Sequence, residues 1–412
     1  MINKKTEYNF DSVIVGGGMV GLSIANQLIE KKITDSILII DKEEKLGLHS
    51  SGRNSGVLHA GLYYEPNSLK AKVCVSGAKR LKSWVIERGL PINQCGKLII
   101  PTKEDLDSQL EVLAFRGRSN GAEVEFWDEN QVHNLVPDAL CLTGRALWSP
   151  NTAVVKPINV INKLQEELFS RGVKFIFSEP QWSVNEKEKV IKLTNNDKVN
   201  YGHLINCAGL HADTVAHKFN IGKDFTLMPF KGVYYQIKLE SKFKIPTNLY
   251  PVPDLDLPFL GVHFTPNHDQ TLISIGPTAS FAFGRENYRG AEAVEPLKSI
   301  ENLKLLSSQY LFNRGGFRKY LHEQAFLSLK GPFLEAAKKL IPTIKSGDIE
   351  LSTKVGIRAQ LFNKKKMKIE NDFICKSGIN STHILNAISP AFTASFAFAD
   401  FIIDSYIINH KE

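Results

Sequence analysis

The chain has 412 residues, 43% of them apolar and 23% charged. That is enough to bury a large core and, at ~100–200 residues per domain, to form two or three domains. Cys74, Cys95, Cys141, Cys207 and Cys375 stand singly, without zinc or redox spacing, which excludes a disulfide-stapled or cysteine-metal scaffold and fits a reducing compartment. The formal charge of +8 suits an anionic substrate, a lipid surface or nucleic acid, and does not choose among them.

Residues 1–10 are polar and lysine-bearing, unlike a secretory signal, so a cytoplasmic location is expected, with peripheral association at the inner face of a membrane left open. The longest apolar run, 392–403, is shorter than the ~18 residues that suggest a span and is broken by Asp400, so no transmembrane helix is expected.

Residues 12–15 form a short β-branched strand that runs into Gly16-Gly17-Gly18-Met19-Val20-Gly21 and a helix over 22–31. A second apolar strand, 37–40, ends at Asp41, completing a βαβ unit whose parallel strands need the crossover helix. Gly16, Gly18 and Gly21 have the spacing of a dinucleotide-binding turn: one for the tight turn, one for close approach to a pyrophosphate, one for helix–strand packing. Asp41 stands twenty residues after Gly21, where an acid binds ribose hydroxyls.

A Gly/Ser/Asn-rich loop follows over 47–61, where Ser51, Asn54, Ser55 and Gly56 offer small side chains and backbone N–H groups to a cofactor. That interruption departs from the contiguous βα units of an NAD dehydrogenase and points to FAD. Next come a helix over 69–88 and a strand at 97–100. An amphipathic helix over 157–171 opens on Pro157 and stops at Gly172. Strands are predicted at 173–177, 190–193 and 199–205, the last ending at the small-residue turn that holds Gly209. From 225 to about 274 aromatic-rich strands with Pro and Gly turns predict an antiparallel sheet outside the nucleotide fold. A helical region covers 291–341, strands 355–361 and 384–387 follow, and a last helix starts near Ala391 with Ser389 as N-cap and Pro390 at the first helical position. The helix's positive end would stabilise an anionic flavin pyrimidine. Lys364, Lys365, Lys366 and Lys368 read as a solvated loop or hairpin tip.

The fold class is α/β: a Rossmann-like FAD-binding domain over 1–90, 145–215 and 350–412, interleaved with an α+β substrate domain over 91–144 and 216–349 that contains an antiparallel sheet.

The first unit, the loop 49–64, the turn Asn206-Cys207-Ala208-Gly209-Leu210-His211 and the last segment resemble the D-amino-acid-oxidase-type superfamily of FAD enzymes. The stretch Gly52-Arg53-Asn54-Ser55-Gly56-Val57-Leu58-His59-Ala60-Gly61-Leu62-Tyr63-Tyr64 is more specific and resembles the L-2-hydroxyglutarate oxidase/dehydrogenase branch. Residues 229–235, 260–265 and 386–395 support that branch, with departures at Arg53, Lys231 and Thr278. The resemblance implies oxidation of an L-2-hydroxydicarboxylate at C2, with hydride passing to flavin N5.

Such chemistry needs a base, carboxylate anchors and stabilisation of the reduced flavin. His263 and His59 are the candidate bases, with a pH profile expected to rise through one ionisation near neutrality. His49 reads as a loop residue near the cofactor. Arg358 offers a bidentate carboxylate partner, and Lys231, Arg53, Tyr63 and Tyr234 are candidates for a second anchor. No metal site is expected. An amino-acid, sarcosine-like amine or glycerol 3-phosphate substrate stays open, as does an RNA-associated flavoprotein, although no nucleic-acid recognition motif is present. Oxygen, a membrane quinone and a soluble carrier all stay open as electron acceptor.

Overall fold

The computed structural model describes residues 6–253, 261–313 and 316–408. Parts of three predicted elements, at 254–260, 314–315 and 409–412, lie outside the described residues. The chain divides into two compact units: Met1–Gly52, Pro157–Leu227 and Ala359–Glu412 form the first, Arg53–Lys156 and Met228–Arg358 the second.

In the first unit, parallel strands run in the order Ser381–Asn386, Lys198–Asn206, Glu7–Val15, Ile37–Ile40, Lys174–Ile176. Parallel strands need covered faces. Accordingly Ile37–Ile40 is buried at every position, and Val13, Val15, Leu38, Ile40 and Leu204 pack into one core on a single face. The helix Met19–Glu30 packs against Ala391–Ile402 and Pro157–Ser170. Residues Ala391–Ile408 are continuous helix, long and apolar enough to span a bilayer by composition. More than half of that segment is buried, and Phe396, Phe398, Ala399 and Ile402 are among the inward side chains, so it reads as a core helix. Length alone therefore does not exclude a span as the sequence expectation held; packing makes that distinction.

In the second unit the hydrogen-bonded order is Phe225–Ile237, Ile273–Gly276, His263–Pro266, Asn248–Pro251, Lys97–Ile100, Arg145–Ser149, Glu125–Asp128. The expected antiparallel sheet is present with one exception: Asn248–Pro251 runs parallel to Lys97–Ile100. A small antiparallel sheet joins Val57–Leu58, Ala153–Val155 and Ile92–Asn93.

These pairings correct the domain boundaries read from the sequence, which put 53–90 and 145–156 with the nucleotide fold. Val57 pairs with Val154, and Lys97 pairs with Ser149, so both segments are stitched into the second unit. The region 291–341 resolves into Pro296–Leu311, Phe317–Leu327 and Lys330–Lys338. The strand expected at 355–361 extends over Ile349–Asn363, and the lysine cluster turns from it into Lys368–Ile369 as a hairpin tip.

Candidate active site

Each part of the site is set by the backbone around it. The helix Met19–Glu30 begins earlier than predicted, directly on the phosphate turn, with Gly18 as N-cap and no acid in its first turn. Gly16 has φ +103, and a Cβ there would lie 2.4 Å from the Cys207 carbonyl oxygen. A Cβ at Gly21 would lie 2.1 Å from the Gly16 carbonyl oxygen. Both positions therefore require glycine for the protein's own packing. Gly18 faces Ser51, whose Oγ accepts from Met19 N at 3.0 Å and would be 2.9 Å from a Cβ at Gly18. A helix N-terminus with a side-chain-free cap is a ready anion cradle, and these residues fit a dinucleotide pyrophosphate.

Asp41 ties this cradle together: Oδ2 accepts from Gly17 N at 2.8 Å and Oδ1 from Glu43 N at 3.0 Å. Each oxygen retains a lone pair for a ribose hydroxyl. His49 bonds Glu43 Oε1 at 2.8 Å, within the loop as expected. Gly209, at φ +51, opens the short turn after Lys198–Asn206, and Cys207 N donates to Val15 O at 2.8 Å. The loop 47–61 is less open than expected, since Ser50–Arg53 forms a helical turn. Asn54 Oδ1 accepts from Gly56 N at 2.8 Å, Gly56 takes φ +80, and Ser55 Oγ accepts from Val57 N at 3.4 Å.

One expectation at the last helix is corrected. The helix starts at Ala391 with Pro390 at the N-cap, after a cis Ser389-Pro390 bond. Ser389 therefore precedes the cap, and Pro390, with φ −101, ψ 38 and no side-chain acceptor, leaves the cap without a side-chain hydrogen bond.

The acid–base side chains lie in the second unit, and the sheet register brings them together. Leu249 opposite Phe264 sets Tyr250 against His263, and Asn248 beside Lys97 makes Lys97 a diagonal neighbour of Tyr250. The rings of Tyr250 and His263 stack with centroids 3.8 Å apart. His263 pairs with Gly276, and the Tyr235–Ile275 register carries the row on to Tyr234. His263 is 6% exposed, and its Nδ1 lies 2.7 Å from Gly261 O. That contact places the proton on Nδ1 and leaves Nε2 as the acceptor. Burial, then the charges of Lys97 and Arg358, lower the His263 pKa to about 3 against the raising effect of the Gly261 bond. His59 is likewise held well below the usual imidazole range by burial, Lys97, His263 and Lys70. The expected ionisation near neutrality is thus displaced in both candidate bases, because each is buried among cations.

Arg358 lies on Ile349–Asn363, and its charge lowers the pKa values of His263, Tyr234 and Tyr250. Burial nonetheless leaves Tyr234 above its ordinary range, as it does Tyr63. Of the second-anchor candidates, Lys231 donates to Asn287 Oδ1 at 3.0 Å, and Arg53 stacks over Tyr288 at 4.1 Å and donates to Val355 O at 3.5 Å.

Three residues of this region escape sequence reading. Lys97 is 1% exposed, with its ammonium 4.4 Å from the Tyr250 ring centroid and 5.2 Å from that of Tyr63. Lys354 sits 5.2 Å from the Tyr234 ring, and burial lowers its pKa to about 8. Tyr250 joins His263 to Lys97. Alternation along Lys354, Gly356 and Arg358 was the available signal for Lys354. The buried face of Lys97 had none, because a lysine opening an apolar strand normally lies at its solvent end.

A dinucleotide cradle on a parallel sheet, with a discontinuous second unit carrying buried histidines and cations, defines an FAD-dependent oxidoreductase. The chain matches the family model for FAD-dependent oxidoreductases of the DAO type over residues 11–404 and belongs to that family. It is 34% identical over 421 residues to a mitochondrial L-2-hydroxyglutarate dehydrogenase of Caenorhabditis briggsae, covering 98% of this chain and 94% of that protein. It is also 34% identical to the mitochondrial L-2-hydroxyglutarate dehydrogenase of Homo sapiens, covering 96% and 88%. Among solved structures, the dithionite-reduced L-alpha-glycerophosphate oxidase of Mycoplasma pneumoniae with FAD bound shares the fold, with a TM-score of 0.74, 20% identity and coverage of 95% and 93%.

Proposed function

We propose that the chain oxidises an L-2-hydroxydicarboxylate, L-2-hydroxyglutarate in the first place, to the corresponding 2-oxo acid. The cluster of buried neutral imidazoles among cations carries this reading, together with the relatives named L-2-hydroxyglutarate dehydrogenase. An α-hydroxy acid presents a proton to be taken and a carboxylate to be held. An imidazole kept neutral at physiological pH takes the first; a guanidinium takes the second. FAD, when bound, supplies the acceptor for the hydride leaving C2. In the same step the hydroxyl proton passes to Nε2 of His263, or to His59, so that two electrons and two protons leave the substrate. Arg358 orients the C1 carboxylate, and Tyr63 and Tyr234 line the same region.

Anaerobic addition of L-2-hydroxyglutarate to the purified flavoprotein is expected to bleach the visible flavin bands. Bleaching by glycerol 3-phosphate, glycine or sarcosine, with none by L-2-hydroxyglutarate, would reassign the substrate class.

With FAD bound, oxygen or a quinone would serve as the electron acceptor, and one surface of this chain favours the quinone. The helix Pro296–Leu311 turns four apolar side chains outward: Leu297, Ile300, Leu303 and Leu311 are exposed, while Ser299, Asn302, Leu306 and Gln309 are buried. Phe312, Phe326 and Leu329 extend this apolar surface. An exposed apolar face of that extent on a chain of net charge +8 supports peripheral contact of a cytoplasmic protein with an anionic membrane, where quinones reside.

A further inference from the structure

Lys97 presents an electrostatic problem that its surroundings do not solve. Its ammonium is buried between the rings of Tyr63 and Tyr250, and among the described residues no carboxylate pairs with it. The ionisable groups that feel its charge are His59, His263, Cys74 and Cys95. None is an anion: both imidazoles are neutral, and burial raises the Cys74 and Cys95 thiols to about 12 and about 11. Lys70 adds a further positive charge near His59. Two tyrosine faces give an ammonium partial compensation, but burial without a counter-ion still disfavours the charge and lowers the Lys97 pKa to about 8. Tyr63, whose ring centroid lies 5.2 Å from the ammonium, has a buried hydroxyl with no hydrogen-bond partner. The ammonium and this hydroxyl thus both lack an anionic partner, the nearest unpartnered acceptor in the register being the neutral amide oxygen Oδ1 of Asn248.

Position adds to this. The His263 ring stacks on Tyr250 at 3.8 Å, the Lys97 ammonium lies 4.4 Å from the centroid of that same Tyr250 ring, and the charges of Lys97 and Arg358 both reach His263. A substrate with its carbinol between two carboxylates has the matching order of charges.

We propose that Lys97 is the second carboxylate anchor of the site, its ammonium and the Tyr63 hydroxyl holding the distal carboxylate while Arg358 holds the one next to the carbinol. The assignment rests on the substrate reading above and deepens it. It makes Lys97 the selector for dicarboxylates over monocarboxylates of the same chain length.

The test uses the FAD-loaded enzyme with L-2-hydroxyglutarate and with L-2-hydroxyvalerate, which replaces the distal carboxylate by a methyl group. Lys97→Met is expected to lower kcat/KM for L-2-hydroxyglutarate by about 10–100-fold, mainly through KM, the range for losing one charge-assisted pair. The same variant is expected to leave kcat/KM for L-2-hydroxyvalerate undiminished or to raise it, since loss of the Lys97 charge returns basicity to His263, and Lys97→Arg to keep part of the preference. Glutarate, which has no carbinol to oxidise, gives a second readout through its perturbation of the flavin spectrum, and its affinity should fall with the dicarboxylate activity. Equal losses on both substrates, or undiminished glutarate binding in Lys97→Met, overturn the assignment. If Lys97→Met does not fold, Tyr63→Phe must show the same dicarboxylate-selective loss at smaller size, and its absence overturns the proposal equally. A wild-type enzyme that oxidises neither hydroxy acid refutes the substrate reading itself, whereas one that oxidises both with no preference refutes only the role of Lys97.

Discussion

Replacing His263 by alanine separates the two candidate bases. If Nε2 of His263 takes the hydroxyl proton, His263→Ala should slow flavin reduction by ~10²–10⁴-fold, or about 2.7–5.4 kcal/mol of barrier, with flavin content retained. The structure also sets the sign of the pH dependence. Burial and the charges of Lys97 and Arg358 bring the imidazole to about 3, so in the free enzyme it is neutral throughout the physiological range. The acid limb of kcat/KM, which reports the free enzyme, should therefore lie well below neutrality. A bound carboxylate offsets the nearby cations and makes the imidazole easier to protonate, so the limb in kcat should lie at higher pH than the limb in kcat/KM. On the alkaline side, Lys97 and Lys354 are both lowered to about 8, and kcat/KM should fall as pH rises through that value and the cations are lost. Anaerobic stopped-flow reduction across pH, at low and saturating L-2-hydroxyglutarate, measures all of this. A His263→Ala enzyme reduced at the wild-type rate, or one that keeps the wild-type acid limb, removes His263 from the mechanism and leaves His59 as the base.

Gly21→Ala should prevent normal flavin loading and lower stability by roughly 1–3 kcal/mol, since its Cβ would lie 2.1 Å from the Gly16 carbonyl oxygen, which is backbone and cannot swing aside. Thermal unfolding and the ratio of visible to ultraviolet absorbance check it, and a fully loaded variant of unchanged Tm refutes the packing argument. Arg358→Lys should weaken L-2-hydroxyglutarate binding by about 1.5–3 kcal/mol with FAD binding intact, because lysine keeps the charge and loses the planar fork; an unchanged KM takes Arg358 out of the site. Leu297→Glu combined with Ile300→Glu should abolish sedimentation with phosphatidylglycerol vesicles and spare L-2-hydroxyglutarate oxidation with a soluble dye, whereas wild-type protein that stays off such vesicles rules out the membrane contact.

The parts of the fold visible in the sequence are those governed by short-range rules. The turn from Gly16 to Gly21 combines glycines needed at fixed positions with a strand before and a helix after, and each depends on neighbours within a few residues. The domain boundaries depend on distant pairings, such as Val57 with Val154 and Lys97 with Ser149, which no local pattern encodes. The same holds for Asn248–Pro251: its composition predicts a strand, but nothing in it predicts a parallel neighbour some 150 residues earlier. At Ser389 the local rule misled, because serine before proline resembles a cap followed by a first helical residue, whereas the helix takes Pro390 itself as cap.

Within the site, legibility followed residue type. Histidines and an arginine in recognisable stretches stand out because few structural tasks need them, and His59, His263 and Arg358 were picked out as candidates in this way. Lysine is common and usually exposed, so its chemistry depends on burial, a property of the folded sheet. Lys97 is drawn inside because the register places it diagonally beside Tyr250, and only there does the lack of a carboxylate become visible. The two cations also explain each other's effect on the base. With Arg358 alone, His263 would lie beside one positive charge that the substrate's C1 carboxylate neutralises on binding. With Lys97 as well, only a substrate carrying a second carboxylate relieves both, so His263 gains basicity most fully when a dicarboxylate is present. On this assignment, selection of the substrate and activation of the base would arise from the same two charges, and a monocarboxylate should be both bound weakly and deprotonated slowly.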